Sequence, residues 1–408
     1  MTEETQGEAQ PQPGLGESQR QVQQQERQIS GSPCLYIPFE ILSGLAASNV
    51  DSEGQNVMGY SQMAVVPPSF EGDSIKIEPQ GKAQYIRPNR LIYDMQFASR
   101  EEDLPGVLKR SEGDPPLNIK GDPNVDLCYD NFGIAFEFFH KVFGRNSIDG
   151  KGGPLIGIVN FGFYFPQATW SVSKANMQHV LVFGNGWDND PWNHGAPMKT
   201  FAGMFGGLVG SLEVVVHEMM HGITQIHVKL LGLKQPGALD EHLSDVFGIM
   251  AKQWHKKQTV EQADWLIGED CLIPEQKGFA LRSFANPGTA YEFGSDDFNF
   301  RGPAKDPQKS KYTDRFKGSE DRYGVHIDSG IPNKAFYLLA KKLGGYSWEK
   351  AGQIWYSALT SNEVPKNCEF RRWARHTVDA AEKDPGFGKS VADKVTEAWM
   401  EVGVEPRW

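Results

Sequence analysis

The chain has 408 residues, 41 basic and 52 acidic side chains, and a formal net charge of −11. This length predicts two or three domains, and 39% hydrophobic residues, with 24 Phe, 12 Tyr and 10 Trp, exclude a chain that is disordered throughout. The acidic balance argues against nucleic acid or an anionic membrane as the main partner. The absence of an 18-residue apolar run excludes a transmembrane helix.

The N-terminal part of the chain divides into two segments. Residues 1–32 are Gln-rich and of low complexity, which predicts a disordered tail. Residues 33–85 begin with the apolar stretch CLYIPFEIL and continue through a Ser/Gly/Asn-rich passage, which is typical of a short appended segment and linker. Because the first 32 residues contain no apolar stretch of signal-peptide type, we expect a cytoplasmic protein, or one exported without a signal peptide.

The remaining chain changes character near its middle. Residues 86–232 contain short β-like runs, RLIYDMQF, PLIGIVNFGFYF and HVLVFGNG, and one helical run, NFGIAFEFFHKVF. Residues 233–408 have mainly helical periodicity. Four widely spaced cysteines form no CxxC pair, so reduced thiols are the simplest interpretation. We therefore predict an α+β protein with a β-rich N-terminal lobe and a mainly α-helical C-terminal lobe.

The most informative motif is HEMMH at residues 217–221, within a helical pattern. Positions four apart lie on one helix face, so His217 and His221 can reach one zinc ion while Glu218 stands beside it. The alternative is two surface histidines on an amphipathic helix. A catalytic zinc also needs a third protein ligand and an open position for water. In GALDEHLSD, Glu241 and Asp245 lie four residues apart in an otherwise apolar helix, so one can bind the metal while the other orients a ligand histidine.

A third element lies in the segment EDRYGVHIDSGIPNKAF. His326 follows Asp321 by five residues in a turn before a predicted helix. A lone histidine there is usually structural. Beside a zinc site, however, a histidine oriented by an aspartate can donate to an oxyanion during peptide hydrolysis.

These segments together resemble the thermolysin family of zinc neutral peptidases. HEMMHGIT, GALDEHLSDVFG, ALRSFANP and GVHIDSGIPNKAFY look like that family's signature segments, in its order, and weaker resemblance covers roughly 280 residues in all. The resemblance implies a two-lobed zincin fold with the HExxH helix at the cleft. It also implies the following roles: His217, His221 and Glu241 as zinc ligands, Glu218 as general base, Asp245 and Asp240 as supports of the ligand histidines, His326 positioned by Asp321 as electrophilic donor, and Arg282 as a clamp for a substrate carbonyl and a brace for Glu241.

The resemblance further implies how substrate binds. Gln167 and Ala168 match positions that hold substrate backbone. The hydrophobic primed-side pocket maps onto five apolar residues, which predicts cleavage on the amino side of bulky hydrophobic residues: Phe205, Leu208, Val214, Ile267 and Leu281.

The chain also departs from the family pattern. Gly232 stands where a Tyr commonly serves as a second oxyanion donor, Gln167 replaces an Asn, and Val216 replaces a Gly. These departures motivate an alternative function, a zinc-binding but catalytically weak peptide-binding homologue. The candidate calcium ligands are Glu213, Asp264, Glu269 and Asp270. Because Lys252 stands where a central carboxylate is expected, we predict that at least one calcium ion is absent.

The front end resembles the protealysin-like branch, which has a short N-terminal pro-segment with a PPYIL-like element. CLYIPFEIL followed by a linker implies that residues from about 33 to near 80 cover the cleft until removed, so the protein would be made as a zymogen with its own N-terminal segment as inhibitor. An ordinary N-terminal extension is the alternative. Cys34 could bind the zinc as a latency thiolate, although an apolar cysteine is the simpler interpretation.

Overall fold

The structure is a computed structural model that describes residues 87–99, 103–120, 122–162, 167–172, 178–186, 207–272, 279–292 and 305–408. The predictions for the tail 1–32, for the segment 33–85 with Cys34, and for Phe205 lie outside the described residues.

A five-stranded mixed sheet forms the N-terminal lobe, with strand order β2-β1-β3-β5-β4. The strands are β1 (Arg90–Asp94), β2 (Val107–Ser111), β3 (Leu155–Phe161), β4 (Ala168–Val172) and β5 (His179–Gly184). β3 pairs in parallel with β1 and β5, whereas β2 and β4 are antiparallel edge strands. Three of these strands correspond to the β-like runs in the sequence.

The central strand β3 is covered on both faces. Leu155 and Val159 belong to the large core, together with the phenylalanines of helix α1 (Asn124–Phe143). Ile156 and Ile158 point the other way, into a second, smaller apolar cluster with Val180 and Val182. Because alternate side chains of a strand face opposite sides of the sheet, a strand covered on both faces is apolar at nearly every position.

Helices dominate the second half of the chain. They are α2 (Leu212–His227), α3 (Lys234–Lys256), α4 (Glu320–Asp328), α5 (Gly330–Leu343), α6 (Lys350–Thr360), α7 (Phe370–Lys383) and α8 (Gly388–Glu401). Two short strands, β6 (Leu266–Ile267) and β7 (Arg282–Ser283), pair between α3 and α4. The predicted α+β fold with a β-rich lobe and a helical lobe is confirmed. In the part of the chain that the structure describes, no helix has the length and apolar character to cross a bilayer.

Helix α2 lies closely against the sheet because of one glycine. A Cβ atom on Gly222 would come within 2.7 Å of Trp170 Nε1 in β4 and 2.9 Å of Ile148 Cγ2. Real side chains do not tolerate such distances, so only glycine fits this position. The close approach places the residues just before Gly222 next to the sheet.

Candidate active site

Helix α2 presents two buried imidazoles to one position. His217 and His221 are 1% and 2% exposed, and their Nε2 atoms lie 3.1 Å apart. Apolar neighbours on the same helix, such as Val215, Met219 and Met220, are fully buried in the core. The four-residue spacing therefore puts both rings on one helix face, as the sequence predicts.

Helix α3 adds a carboxylate to this pair. Glu241 Oε2 lies 3.3 Å from His217 Nε2 and 3.9 Å from His221 Nε2, and Glu241 is 1% exposed. Donor atoms 2.0–2.1 Å from a tetrahedral zinc ion lie roughly 3.3 Å from one another. Within the described residues, these three side chains are also the group of His, Cys, Asp and Glu whose ligand atoms all come close enough, within 4.8 Å, to hold a metal ion. The donor set and its spacing therefore fit zinc.

Burial alone would disfavour the charged form of Glu241. The neighbouring His326, His217 and His221 outweigh that cost and hold the pKa of the Glu241 carboxyl well below its usual value. The group is thus a carboxylate at neutral pH, which is the form that binds a metal.

The outer nitrogen of each imidazole faces a hydrogen-bonding partner. His217 Nδ1 lies 3.0 Å from Asp245 Oδ1, and His221 Nδ1 lies 3.3 Å from Asp240 Oδ2 and 3.2 Å from Ser244 Oγ. A proton on Nδ1 leaves Nε2 free to bind a metal, so these contacts fix the tautomer and the ring orientation. Ser244 is a partner that the sequence analysis did not identify.

Asp245 lies at the centre of a longer buried network. Trp355 Nε1 donates to His242 Nε2 at 2.8 Å, and His242 Nδ1 donates to Asn333 Oδ1 at 2.8 Å. Asn333 Nδ2 then donates to Asp245 Oδ2 at 2.9 Å. Burial lowers the pKa of His242 to about 4, so its ring is neutral at pH 7. The network connects helices α6, α3 and α5 to the metal-binding face of α2.

We expect Asp245→Asn to weaken zinc binding by about 10–100-fold, because an amide nitrogen or a neutral oxygen replaces the acceptor of the His217 Nδ1 proton. Burial opposes ionisation of Asp245, but Arg282 and His217 hold its pKa at about 2, so the change removes a full charge. Competition with a chromophoric chelator measures the zinc affinity. Unchanged affinity would show that Asp245 does not orient the ligand.

Glu218 lies beside the two histidines and is 0% exposed. Burial raises the pKa of its carboxyl and Glu241 adds to the rise, whereas His217 and His221 lower it. A raised pKa suits a general base that must accept a proton and later release it.

His326 approaches the same position from helix α4. Its Nε2 lies 3.4 Å from Glu241 Oε2, and its Nδ1 lies 2.6 Å from Asp321 Oδ1. Burial opposes protonation of the ring, but Glu241 and Asp321 outweigh it and raise the pKa of His326. When the ring is protonated, Nδ1 donates to Asp321 and Nε2 can present an N–H group to the site.

The residues before His326 have an unusual backbone. Asp321, Arg322, Tyr323 and Gly324 have φ values of 51°, 50°, 66° and 82°, all in the left-handed region. That conformation costs roughly 1–2 kcal/mol for each residue other than glycine. The Asp321 carboxylate holds the turn together by accepting from the backbone N–H of His326 at 2.7 Å. Such strained backbone is often found at functional sites.

Asp328, at the end of α4, gives the fold a pH dependence. Burial raises its pKa to about 6, although the Phe316 N–H donates to it at 2.9 Å. A raised pKa means that the folded state binds the proton more tightly, so this contribution to stability is complete below about pH 4 and is lost as the pH rises through about 6.

We therefore expect Asp328→Asn to be more stable than the wild type above pH 6, by about 1–3 kcal/mol, and to lose this advantage near pH 4. Urea unfolding of both proteins at pH 4, 5, 6 and 8 measures the difference. A difference that does not change with pH would contradict the raised pKa.

The described residues that match substrate-binding positions are buried. Arg282 is 4% exposed and its Nη2 atom donates to Asp245 Oδ1 at 2.7 Å. Gln167 and Ala168, at the start of β4, are both 0% exposed. Four residues matching the hydrophobic pocket belong to one apolar cluster: Leu208, Val214, Ile267 and Leu281.

The candidate calcium ligands surround a lysine. Lys252 is 2% exposed, and its Nζ lies 3.6 Å from Glu213 Oε1, 3.5 Å from Asp264 Oδ1 and 3.7 Å from Glu269 Oε2. It also donates to the Leu266 carbonyl at 3.1 Å. Burial opposes the charged form, but the acidic neighbours raise the pKa of Lys252. An ammonium ion thus occupies the centre of these carboxylates, and Asp270 lies 3.9 Å from Lys256.

Two models of known protein families match this chain. Residues 92–225 match the model of the thermolysin metallopeptidase catalytic domain. Residues 230–404 match the model of the thermolysin metallopeptidase alpha-helical domain. The first match contains HEMMH, and the second contains Glu241, Asp245 and His326.

Individual relatives cover nearly the whole chain. An "Extracellular metalloprotease" of Pectobacterium carotovorum subsp. carotovorum is 40% identical over 377 residues, which is 92% of this chain and 97% of the relative. "Protease PrtS" of Photorhabdus sp. is 35% identical and covers 90% of this chain and 91% of its own length. The solved "Precursor of Protealysin" from Serratia proteamaculans has a TM-score of 0.71 and 36% identity, over 91% of this chain and 99% of that one. The chain therefore belongs to the thermolysin metallopeptidase family, in its protealysin-like branch, and is a zinc metalloendopeptidase.

Proposed function

We propose that the protein cleaves peptide bonds on the amino side of bulky hydrophobic residues, with His217, His221 and Glu241 holding the zinc ion and Glu218 as general base. The observation that supports this most directly is the convergence of three buried ligand atoms on one position, with the buried Glu218 beside them. Zinc in such a site supplies a Lewis acid that polarises the scissile carbonyl and makes water more acidic.

The side chains have distinct tasks in this reaction. Glu218 accepts a proton from the attacking water, whose oxygen bonds to the scissile carbonyl carbon. His326 Nε2 donates a hydrogen bond to the carbonyl oxygen as negative charge develops there, and Asp321 holds the ring in place. Glu218 then gives the proton to the amide nitrogen, the C–N bond breaks, and the amine leaves.

The predicted specificity has a direct test. Buried apolar side chains at positions 208, 214, 267 and 281 favour a bulky hydrophobic residue on the primed side of the cleaved bond. Quenched peptides that differ only at that residue, with Leu, Phe, Gly or Asp, measure kcat/KM. We expect Leu and Phe to exceed Gly and Asp by at least about tenfold. Equal rates would refute the assigned pocket.

Gly232 and Gln167 motivate the alternative of a catalytically weak peptide-binding protein, which the match to named proteases does not favour. Losing one oxyanion donor costs on the order of 3 kcal/mol if nothing replaces it. Zinc-loaded, processed protein with no turnover above its Glu218→Gln variant would favour this alternative.

For residues 33–85 we propose the role of an intramolecular inhibitor that is removed during maturation. The apolar CLYIPFEIL element and the similarity to a solved precursor support this role. Intact-mass and N-terminal analysis of an active preparation tests it, since a full-length N-terminus that persists at full activity would refute inhibition by this segment.

For the location we propose that the protein acts outside the cell, in preference to the cytoplasm. The word "extracellular" in the name of one relative supports this choice. Peptidase activity is measured in the culture medium and in washed cells of the source organism, and the comparison distinguishes an exported protein from a cytoplasmic one.

A further inference from the structure

One charged residue near the site has no role in the mechanism above. The guanidinium of Arg322 contacts Glu241, with 3.3 Å between Nη2 and Oε1. Glu241 is 1% exposed, and the Arg322 side chain is 26% exposed. The contact thus joins an arginine at the rim of the cleft to the buried carboxylate of the metal centre.

This contact gives the two carboxylate oxygens of Glu241 different partners. Oε1 accepts from Arg322, whereas Oε2 lies 3.3 Å from His217 Nε2 and 3.4 Å from His326 Nε2. A carboxylate that is hydrogen-bonded through one oxygen has a fixed orientation and a preferred oxygen for the metal. Hydrogen bonds from a guanidinium to a carboxylate are charge-assisted and are stronger than neutral hydrogen bonds.

The backbone of α4 aims Arg322 at Glu241. Arg322 has φ 50° and ψ 44°, in the middle of the left-handed turn of residues 321–324. Asp321 within that turn binds His326 through both its ring and its backbone N–H. The same turn therefore positions Arg322 and His326 on the same side of the metal centre.

The residue opposite Arg322 leaves the space that the guanidinium needs. A Cβ atom on Gly232 would meet one described atom within 4 Å, Arg322 Nη1, at 3.6 Å. A methyl group therefore fits at position 232, and a branched side chain such as leucine is long enough to reach the volume of the guanidinium. Gly232 and Arg322 are complementary in size.

We propose that Arg322 is a positioning residue for the zinc ligand Glu241, and that Gly232 provides the room for its guanidinium. The inference rests on the proposed role of Glu241 as the third zinc ligand. Arg322 fixes Oε1 so that Oε2 faces the metal, and it supplies a positive charge on the side of the cleft where position 232 has no side chain.

The test measures three quantities for each variant. These are the zinc dissociation constant by chelator competition, the visible absorption of the cobalt-substituted protein, and kcat and KM on a quenched peptide. The cobalt bands respond to ligand number and geometry, so they report on Glu241 without relying on activity. Arg322→Gln should weaken zinc binding by about tenfold or more, change the cobalt bands and lower kcat with little change in KM. Arg322→Lys should lie between it and the wild type.

Two further sets of variants make the test specific. Arg315→Gln removes a guanidinium that stacks on Tyr312 and donates to its carbonyl, and zinc affinity should not change. Gly232→Leu should reproduce the effects of Arg322→Gln, whereas Gly232→Ala should leave zinc affinity unchanged. The double variant Gly232→Leu/Arg322→Gln should be no worse than either single variant, because both remove the same contact.

The inference is overturned if Arg322→Gln binds zinc within about twofold of the wild type with unchanged cobalt bands, or if the effects of the double variant multiply. Glu241→Ala is measured in parallel. If it retains full zinc affinity, the proposed ligand itself is wrong. If it loses zinc while Arg322→Gln does not, the role of Arg322 alone is wrong.

Discussion

Replacing Glu218 with Gln is expected to lower kcat by about 10²–10⁴-fold while the protein retains its zinc. Glutamine has the same shape but cannot accept the proton of the attacking water at neutral pH. The three proposed zinc ligands are other side chains, so the metal content should stay near one equivalent. Hydrolysis of a quenched peptide and metal analysis of the same sample measure the two quantities.

A glutamate far from the site provides the matched control. Glu137 on α1 is exposed and pairs with Lys141 one turn away. Glu137→Gln changes the same charge and should leave kcat unchanged. If Glu218→Gln kept more than about a tenth of the wild-type kcat, general-base catalysis by Glu218 would be refuted.

Replacing Lys252 with Met is expected to destabilise the fold by roughly 3–5 kcal/mol. The substitution keeps the length of the side chain but leaves Glu213, which is 1% exposed, without the ammonium ion that faces it. Asp264 and Glu269 are about one-third exposed, so water screens them and most of the loss comes from Glu213. Equilibrium unfolding in urea measures the change.

Lys256 on the same helix offers a close comparison. Its side chain is 44% exposed, and its Nζ lies 3.9 Å from Asp270. Lys256→Met should change stability by less than about 0.5–1 kcal/mol, because exposed ion pairs contribute little. Lys252→Arg, which keeps the charge, should lose less than Lys252→Met. Equal stability of Lys252→Met and the wild type would show that the buried ammonium makes no net contribution.

The sequence was sufficient to predict a mainly helical second half of the chain and the placement of two histidines on one helix face. The four-residue spacing of His217 and His221 fixes their relative placement on any regular helix. Glu241 and Asp245 have the same spacing on the next helix. These are local relations, so no tertiary information was needed. The two-lobed α+β fold and the enzyme class predicted from these motifs are confirmed by the structure and by the family match.

Other parts of the site depend on tertiary contacts. Asn333 is 88 residues from Asp245, and Trp355 is 113 residues from His242. Neither pair has a spacing that could identify it in one sequence. The role of His242 could not be predicted from sequence for the same reason. Arg322 was missed because its direction depends on left-handed backbone, which no propensity assigns to arginine.

The substrate-binding and calcium-binding positions could be predicted only in part. Their assignment came from resemblance, residue by residue, and the structure supplies their surroundings. Lys252 shows what the structure adds. The sequence indicated a lysine among acidic residues, and the structure shows that three carboxylates and a carbonyl oxygen surround its Nζ. Calcium binding elsewhere in the chain stays a prediction.

The three proposed metal ligands come from two helices, α2 and α3, that belong to regions matched by two different family models. A bound ion therefore links the two regions of the chain as well as serving the reaction. A ligand that binds only the folded state stabilises it by mass action, by about 2.7 kcal/mol at a free concentration one hundred times its Kd. The free zinc concentration therefore affects both the stability of the folded state and the fraction of the protein that carries the catalytic ion.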